Sequence, residues 1–188
     1  MLQLVIFLTA DVAEGVIVMS LSTSVENYLS DSHIGYEVLE HPYSYSAIQT
    51  AQISHITPAH LAKAVVVKAG DTYLMCVLPA SHVLVLNWID RDYSADHRGH
   101  RQLVSEEELK GLFPDCEPGA IPALGQAFNM KVVWDSSLCH ADKVYLEAGD
   151  HRHIFQLSGQ GFIEVMEKSD HATISCTPDT LEFYQHLH

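Results

Sequence analysis

Apolar and polar residues alternate with a period of two in several short runs of this chain, and with a helical period in others. Leu61-Ala62-Lys63-Ala64-Val65-Val66-Val67-Lys68 is the strongest run. A turn at Ala69-Gly70-Asp71 separates it from Thr72-Tyr73-Leu74-Met75-Cys76-Val77-Leu78-Pro79. Two valine- and leucine-rich runs around a Gly-Asp turn predict a β-hairpin. Tyr36–Glu40, Met130–Asp135, Lys143–Glu147 and His153–Leu157 predict further strands, and Val83–Leu86 a buried strand or mixed segment. Ser22 or Ser24 can cap a helix running to about Ser32, with Glu26 placed to answer Thr23 and Gly35 ending it. Ser46–Ser54 predicts a helix with Ala47, Ile48 and Ala51 on one face, and Thr57-Pro58 opens another that leads into Lys63. Ser105-Glu106-Glu107-Glu108 starts a helix with its acids at the positive end of the dipole, stopping before Phe113-Pro114. Ser158–Met166 predicts a closing helix and Thr180–His186 a last one. The sum is one mixed α/β domain.

Composition narrows the class. A length of 188 residues, 47% of them hydrophobic, suits a soluble globular domain with a sizeable core. Four cysteines, Cys76, Cys116, Cys139 and Cys176, are scattered without a Cys-x-x-Cys pair. That argues against a disulfide framework or a zinc knuckle and for a reducing, cytoplasmic setting. The 13 histidines form close groups only at His97/His100 and His151/His153, neither with zincin spacing, so no metal site is expected. Residues 1–19 contain an apolar run without a basic n-region, interrupted by Asp11 and Glu14. This is a poor signal peptide and too broken for a membrane span. We expect an N-terminal extension over 1–19, with Met19 an alternative start and an extra strand the other reading. The domain proper is expected over 20–167 and a tail over 168–188.

Chemistry then has few candidates. There is no Gly-x-Ser-x-Gly, P-loop or Gly-x-Gly-x-x-Gly motif, and no cysteine in an electropositive setting. Lys63 is a lone cation at the mouth of an apolar strand, where it can meet a phosphate or a ribose-linked ester; it can equally be an edge-strand lysine that blocks pairing with other chains. Pro118-Gly119-Ala120-Ile121-Pro122-Ala123-Leu124-Gly125 is a Gly/Pro loop, and Val144–His151 is a strand ending in an Ala-Gly-polar turn.

Lysine strand, Gly/Pro loop and strand-Ala-Gly-polar turn occur in the order that resembles the YbaK/EbsC family, the aminoacyl-tRNA deacylases related to the editing domain of bacterial prolyl-tRNA synthetases. The resemblance covers Val38 to Met166. It implies helices around a curved, barrel-like mixed sheet. The activity it implies is hydrolysis of the ester between a wrong, small amino acid and tRNA, in particular the proline acceptor. Water is the nucleophile, the tRNA's terminal hydroxyl can assist, and no cofactor is needed. Lys63 matches the family's key lysine, and Gly119 heads the segment matching its Gly-x-x-x-Pro loop, with Ala120, Ile121 and Pro122 shaping the aminoacyl pocket. Here Ala123 stands at the fifth position where proline is usual, and Pro122 falls one residue early. Gly149, His151 and His153 match a turn that contacts the amino group or ribose, and His41 and Tyr45 precede the pocket helices. Asp135 and Ser136 are candidate supporting residues.

Charge pulls the other way. Ten Lys and Arg against 24 Asp and Glu give −14, with a modest basic group at Arg91, Arg98 and Arg101 among His97 and His100. A tRNA partner would therefore be held at its acceptor end, weakly and in a salt-sensitive way. A non-catalytic aminoacyl- or nucleotide-binding module and a small-ester hydrolase remain alternative readings.

Overall fold

In the computed structural model the described residues are 21–93 and 101–186, so residues 1–19 and His97, Arg98 and His100 lie outside them. The hairpin organises everything else. Strand β2 (Leu61–Ala69) pairs antiparallel with β3 (Thr72–Pro79), Ala69 opposite Thr72, and Gly70 turns the chain at φ +58. Around it, β1 (Tyr36–Glu40), β6 (Lys131–Asp135), β7 (Lys143–Glu147), β8 (His153–Ser158) and β9 (Asp170–Ala172) complete a mixed sheet in the order β1-β8-β7-β2-β3-β6-β9. The short strand β5 (Gln102–Leu103) adds to the far end of β2. The β2/β7, β3/β6 and β6/β9 pairs are parallel. The pairing path runs from β1 to β9 without returning, so the described strands form an open mixed sheet in a single α/β domain.

This order sets the surroundings of Lys63. β2 has β3 along one side and, on the other, β7 at Leu61 and Ala62 and β5 at Val67 and Lys68, so Lys63 pairs with β3 and sits at the gap between β7 and β5.

Helices cover both faces. α1 (Thr23–Asp31) is capped by Ser22, whose Oγ accepts from Val25 N–H, and it buries Val25 and Leu29. Its neighbours in the main core include Ala62, Val66, Met75, Leu146, Phe155, Phe162 and Trp134. α5 (Gly159–Met166), capped by Ser158, adds Phe162, Val165 and Met166 to that core. On the other face α2 (Ala47–Ile53), capped by Ser46, packs Ala51 on Leu61, Ala80 and Ile154. Helix α3 (Leu86–Tyr93) puts Ile89 against Val67, Leu78 and Val133. α4 (Glu106–Leu112) carries its three acids in the first turn, as expected.

Three expectations are corrected. Thr57-Pro58 opens a turn, closed by His60 N–H to Thr57 O, because the buried Leu61 is already drawn into the sheet. Ile48 is 40% exposed although Ala51 on the same helix is buried. The segment after residue 168 contributes β9, then β10 (Ser175–Cys176) pairing with β4 (Val83–Leu84), and α6 (Pro178–His186). No helix among the described residues is long and apolar enough to cross a membrane.

Candidate active site

Alternation along β2 puts Ala62 and Val66 in the main core and leaves Leu61, Lys63 and Val65 on the opposite face. Leu61 belongs to the patch under α2 and Val65 to the patch under α3. Lys63 therefore rises, half-buried, between two apolar clusters. Its Nζ donates to the Ala80 carbonyl at 3.3 Å. Burial pushes its pKa down, and no carboxylate among the described residues offsets that burial. One hydrogen bond to a neutral carbonyl contributes only about 1 kcal/mol net, whereas desolvating an ammonium costs more. The cation is under-compensated.

Beyond β7 the chain makes a dense turn. Gly149, at φ +106, passes so close to Ser22 that a Cβ would lie 3.3 Å from the Ser22 N and Cβ atoms. Ser22 N–H donates to Ala148 O and Glu117 N–H to Gly149 O, both at 2.7 Å, which ties the turn to the loop before Gly119. Asp150 Oδ1 accepts from the N–H groups of Arg152 and His153, and its Oδ2 pairs with His153 Nδ1. Burial alone would raise the Asp150 pKa; the His153 and backbone hydrogen bonds outweigh it and hold the carboxyl below its usual range. The same hydrogen bond raises the His153 imidazole.

His151 adopts φ +57, a left-handed conformation rare for a residue with a side chain. That turns its ring inward, only 5% exposed, where Nε2–H donates to Pro118 O at 2.8 Å. Gly119 sits beside it at φ +89, and a Cβ there would lie 3.4 Å from His151 Cε1. Gly119, Gly149 and His151, distant in sequence, thus meet in one place. His151 is buried and His153 half-buried, so neither is a solvent-exposed turn residue.

The loop after β1 lies along this turn. His41 N–H donates to Arg152 O (2.7 Å) and Ser44 N–H to His151 O (3.1 Å). His41 Nδ1–H donates to Pro42 O at 2.7 Å, so its lone pair is on Nε2, which is buried and meets no partner. Burial pushes this imidazole's pKa down and keeps it neutral. Tyr45 is 78% exposed. Ala120 and Pro122 are buried and Ile121 half-buried, continuing into the core residues Ala123 and Leu124.

Sequence reasoning missed Ser44, Thr50 and Glu147. Thr50 Oγ1 donates to Glu147 Oε1 at 2.7 Å and lies 2.7 Å from Ser44 Oγ. Glu147 is 3% exposed, its Oε2 has no partner, and burial raises its pKa. The parallel pairing of Leu61 with Tyr145 and Ala62 with Leu146 ends one residue before Lys63 on β2 and one before Glu147 on β7. Glu147 has the strand phase of the exposed Lys143, so nothing in the alternation marks it as buried.

Other candidates lie apart. Asp135 accepts from Ser137, Ile174 and Ser175, and Ser136 pairs with His171. Of the basic group, Arg101 is buried, and the side chains of the rest fall outside the described residues. Burial pushes the Cys76 and Cys116 thiols up to about 12, so neither is a thiolate at neutral pH.

No curated protein matches the chain. A protein described as a candidate trans-editing enzyme for prolyl-tRNA synthetase shares the fold, with a TM-score of 0.69 at 20% identity over 84% of this chain and 99% of the other. A scaffold protein from computational epitope grafting gives a TM-score of 0.70 at 16% identity, covering 86% and 99%. A signal-transduction protein from Marinobacter aquaeolei gives 0.64 at 17% identity, over 83% of this chain and 31% of its own length. The family model for aminoacyl-tRNA editing domains matches residues 41–165, which span His41, Lys63, Gly119 and the 147–153 turn, and the chain belongs to that YbaK-like family.

Proposed function

We propose that this chain is an aminoacyl-tRNA deacylase acting in trans, which hydrolyses the ester of a mischarged tRNA, with the proline acceptor carrying a small amino acid as the preferred substrate. The observation that carries the reading is Lys63. A half-buried ammonium with one neutral carbonyl as acceptor and no acid partner among the described residues is poised for an anion brought from outside. The phosphate or the ester of a charged tRNA end supplies one.

The chemistry asked of the protein is modest, because an aminoacyl ester is already activated. Water attacks the carbonyl carbon, negative charge grows on the carbonyl oxygen, and the bond to the ribose oxygen breaks as that oxygen takes a proton. Backbone donors aimed at the growing charge lower the barrier most. The N–H groups of Gly119, Ile121 and Ala123 donate to no acceptor among the described residues, so the loop has donors to spare. Ala123 contributes one of these because it stands where the family's usual proline would have no N–H. Of the loop's side chains, Ile121 is partly exposed, whereas Ala120 and Ala123 are fully buried, so Ile121 is the one placed to meet an aminoacyl group.

The test is a panel of aminoacyl-tRNAs, including alanyl- and cysteinyl-tRNA of the proline acceptor, incubated with the folded protein. Selective loss of one small aminoacyl group is the expected result. Hydrolysis of no member would overturn the reading and favour a binding module. Hydrolysis of small esters with tRNA left intact would favour the small-ester reading.

A further inference from the structure

The loop from Pro42 to Ile48 exposes an unusual amount of aromatic and apolar surface. Tyr43 is 36% exposed, Tyr45 78% and Ile48 40%. Single exposed rings need no explanation, but these are ordered. The Tyr45 ring meets Tyr43 edgewise at 5.1 Å, and Tyr43 leans on His151 at 5.1 Å. The Arg152 guanidinium lies 5.4 Å from the centre of the Tyr43 ring. A row of three rings thus runs from solvent to His151, which touches the Gly119 turn.

The row is held rigidly from below. Tyr43 Oη donates to Glu117 Oε2 at 3.4 Å, and Tyr45 N–H to Gln49 Oε1 at 2.8 Å. Ser44, between them, is tied to His151 O and Thr50. The Tyr45 hydroxyl makes no hydrogen bond among the described residues, so its ring is fixed at its root and against Tyr43 and is otherwise 78% open to solvent. A preorganised aromatic loses little entropy on binding.

Charge selects the occupant. With a net −14, the chain is a poor gripper of phosphate backbone, and Arg152 is the cation in this row. Bases of an unpaired strand stack on rings whatever the net charge, and an arginine beside the stack adds a cation–π contact. We propose that Tyr45 and Tyr43, with Arg152, form a stacking platform for the unpaired nucleotides that precede the esterified terminal nucleoside. The proposal rests on the deacylase reading for the identity of the strand.

The experiment titrates the protein with the uncharged trinucleotide CCA and with the same trinucleotide abasic at its first two positions, following tyrosine fluorescence and ring resonances. Wild type, Tyr45→Phe and Tyr45→Ala are compared, and KM is measured for aminoacyl-tRNA and for aminoacyl-adenosine. Stacking on one ring is worth about tenfold in affinity. Tyr45→Ala should therefore bind CCA roughly tenfold more weakly than wild type, Tyr45→Phe should bind like wild type, and the abasic probe should bind wild type as weakly as CCA binds Tyr45→Ala. KM for aminoacyl-tRNA should rise in Tyr45→Ala by more than KM for aminoacyl-adenosine. Equal affinity for intact and abasic probes, or for wild type and Tyr45→Ala, would overturn the platform even if deacylation is observed. Self-association lost in Tyr45→Ala would do the same by making the patch a contact between copies. Tyr45-dependent binding of CCA by a protein that hydrolyses no aminoacyl-tRNA would sustain the platform and defeat the deacylase reading alone.

Discussion

Two residues with positive φ, Gly119 and His151, hold the centre of the candidate site, and only one is a glycine. At Gly119 a Cβ would meet His151 at an ordinary contact distance, so Gly119→Ala is penalised by conformation and not by collision. A left-handed backbone costs an L-residue roughly 1–2 kcal/mol, which lowers Tm by a few degrees in a domain this size. Thermal unfolding should show that fall; an unchanged Tm would mean the backbone there is freer than described. The Asp150–His153 pair gives a pH signature. Asp150, lowered, contributes stability above the ordinary carboxylate pKa and loses it as pH falls through its native value. His153, raised, contributes below the ordinary imidazole pKa and loses it as pH rises through its native value. The pair therefore stabilises most between about pH 4 and 6.5. Denaturant unfolding of wild type and His153→Asn should differ most near about pH 5–6, with the gap narrowing as pH rises through the raised imidazole value, and a pH-independent gap would refute the pairing. At this scale the family resemblance singled out Lys63, Gly119, Gly149 and His151, and the last three meet at one turn. Glu147 and Thr50 stayed hidden, because their burial comes from α2 arriving over the end of β7.

Elements were legible where period and punctuation agree. The β2/β3 hairpin, β1 and β7 follow alternation bounded by glycine or proline, and α2, α4 and α5 follow serine caps. Thr57-Pro58 misled because a proline that opens a helix also opens a turn, and the buried Leu61 decides between them. β9 and β10 are too short to show alternation; Asp135 defines them from afar. Its Oδ2 accepts from Ile174 N–H (3.0 Å), Ser175 N–H (2.9 Å) and Ser175 Oγ–H (2.6 Å). Burial opposes the charge, yet these bonds and those from Ser137 hold the carboxyl below its usual range. Asp135→Ala should cost about 3 kcal/mol and speed amide exchange at Ile174 and Ser175 ahead of the β2/β3 amides. Uniform exchange across the sheet would show that Asp135 does not pin this segment.

Over the whole molecule, the mixed α/β class followed from strands and helices interleaved along the chain, and the family resemblance from Val38 to Met166 is matched by the family model over 41–165. Strand order was out of reach, because β7 joins β2 from far downstream, at Leu61 and Ala62. An acidic molecule that acts on tRNA has to recognise an end and not a backbone. That is consistent with spare loop N–H groups and exposed rings gathered around one turn, and with a half-buried Lys63 that has no carboxylate partner among the described residues. The central claim is that the Lys63 ammonium serves the substrate and not the fold. The direct measurement is kcat/KM of Lys63→Ala against wild type on the most reactive aminoacyl-tRNA of the panel, with urea unfolding of both. The account predicts a loss of roughly a hundredfold or more in a variant at least as stable as wild type, since a desolvated cation has been removed. Retained activity, or a collapse in stability that alone explains its loss, would contradict it.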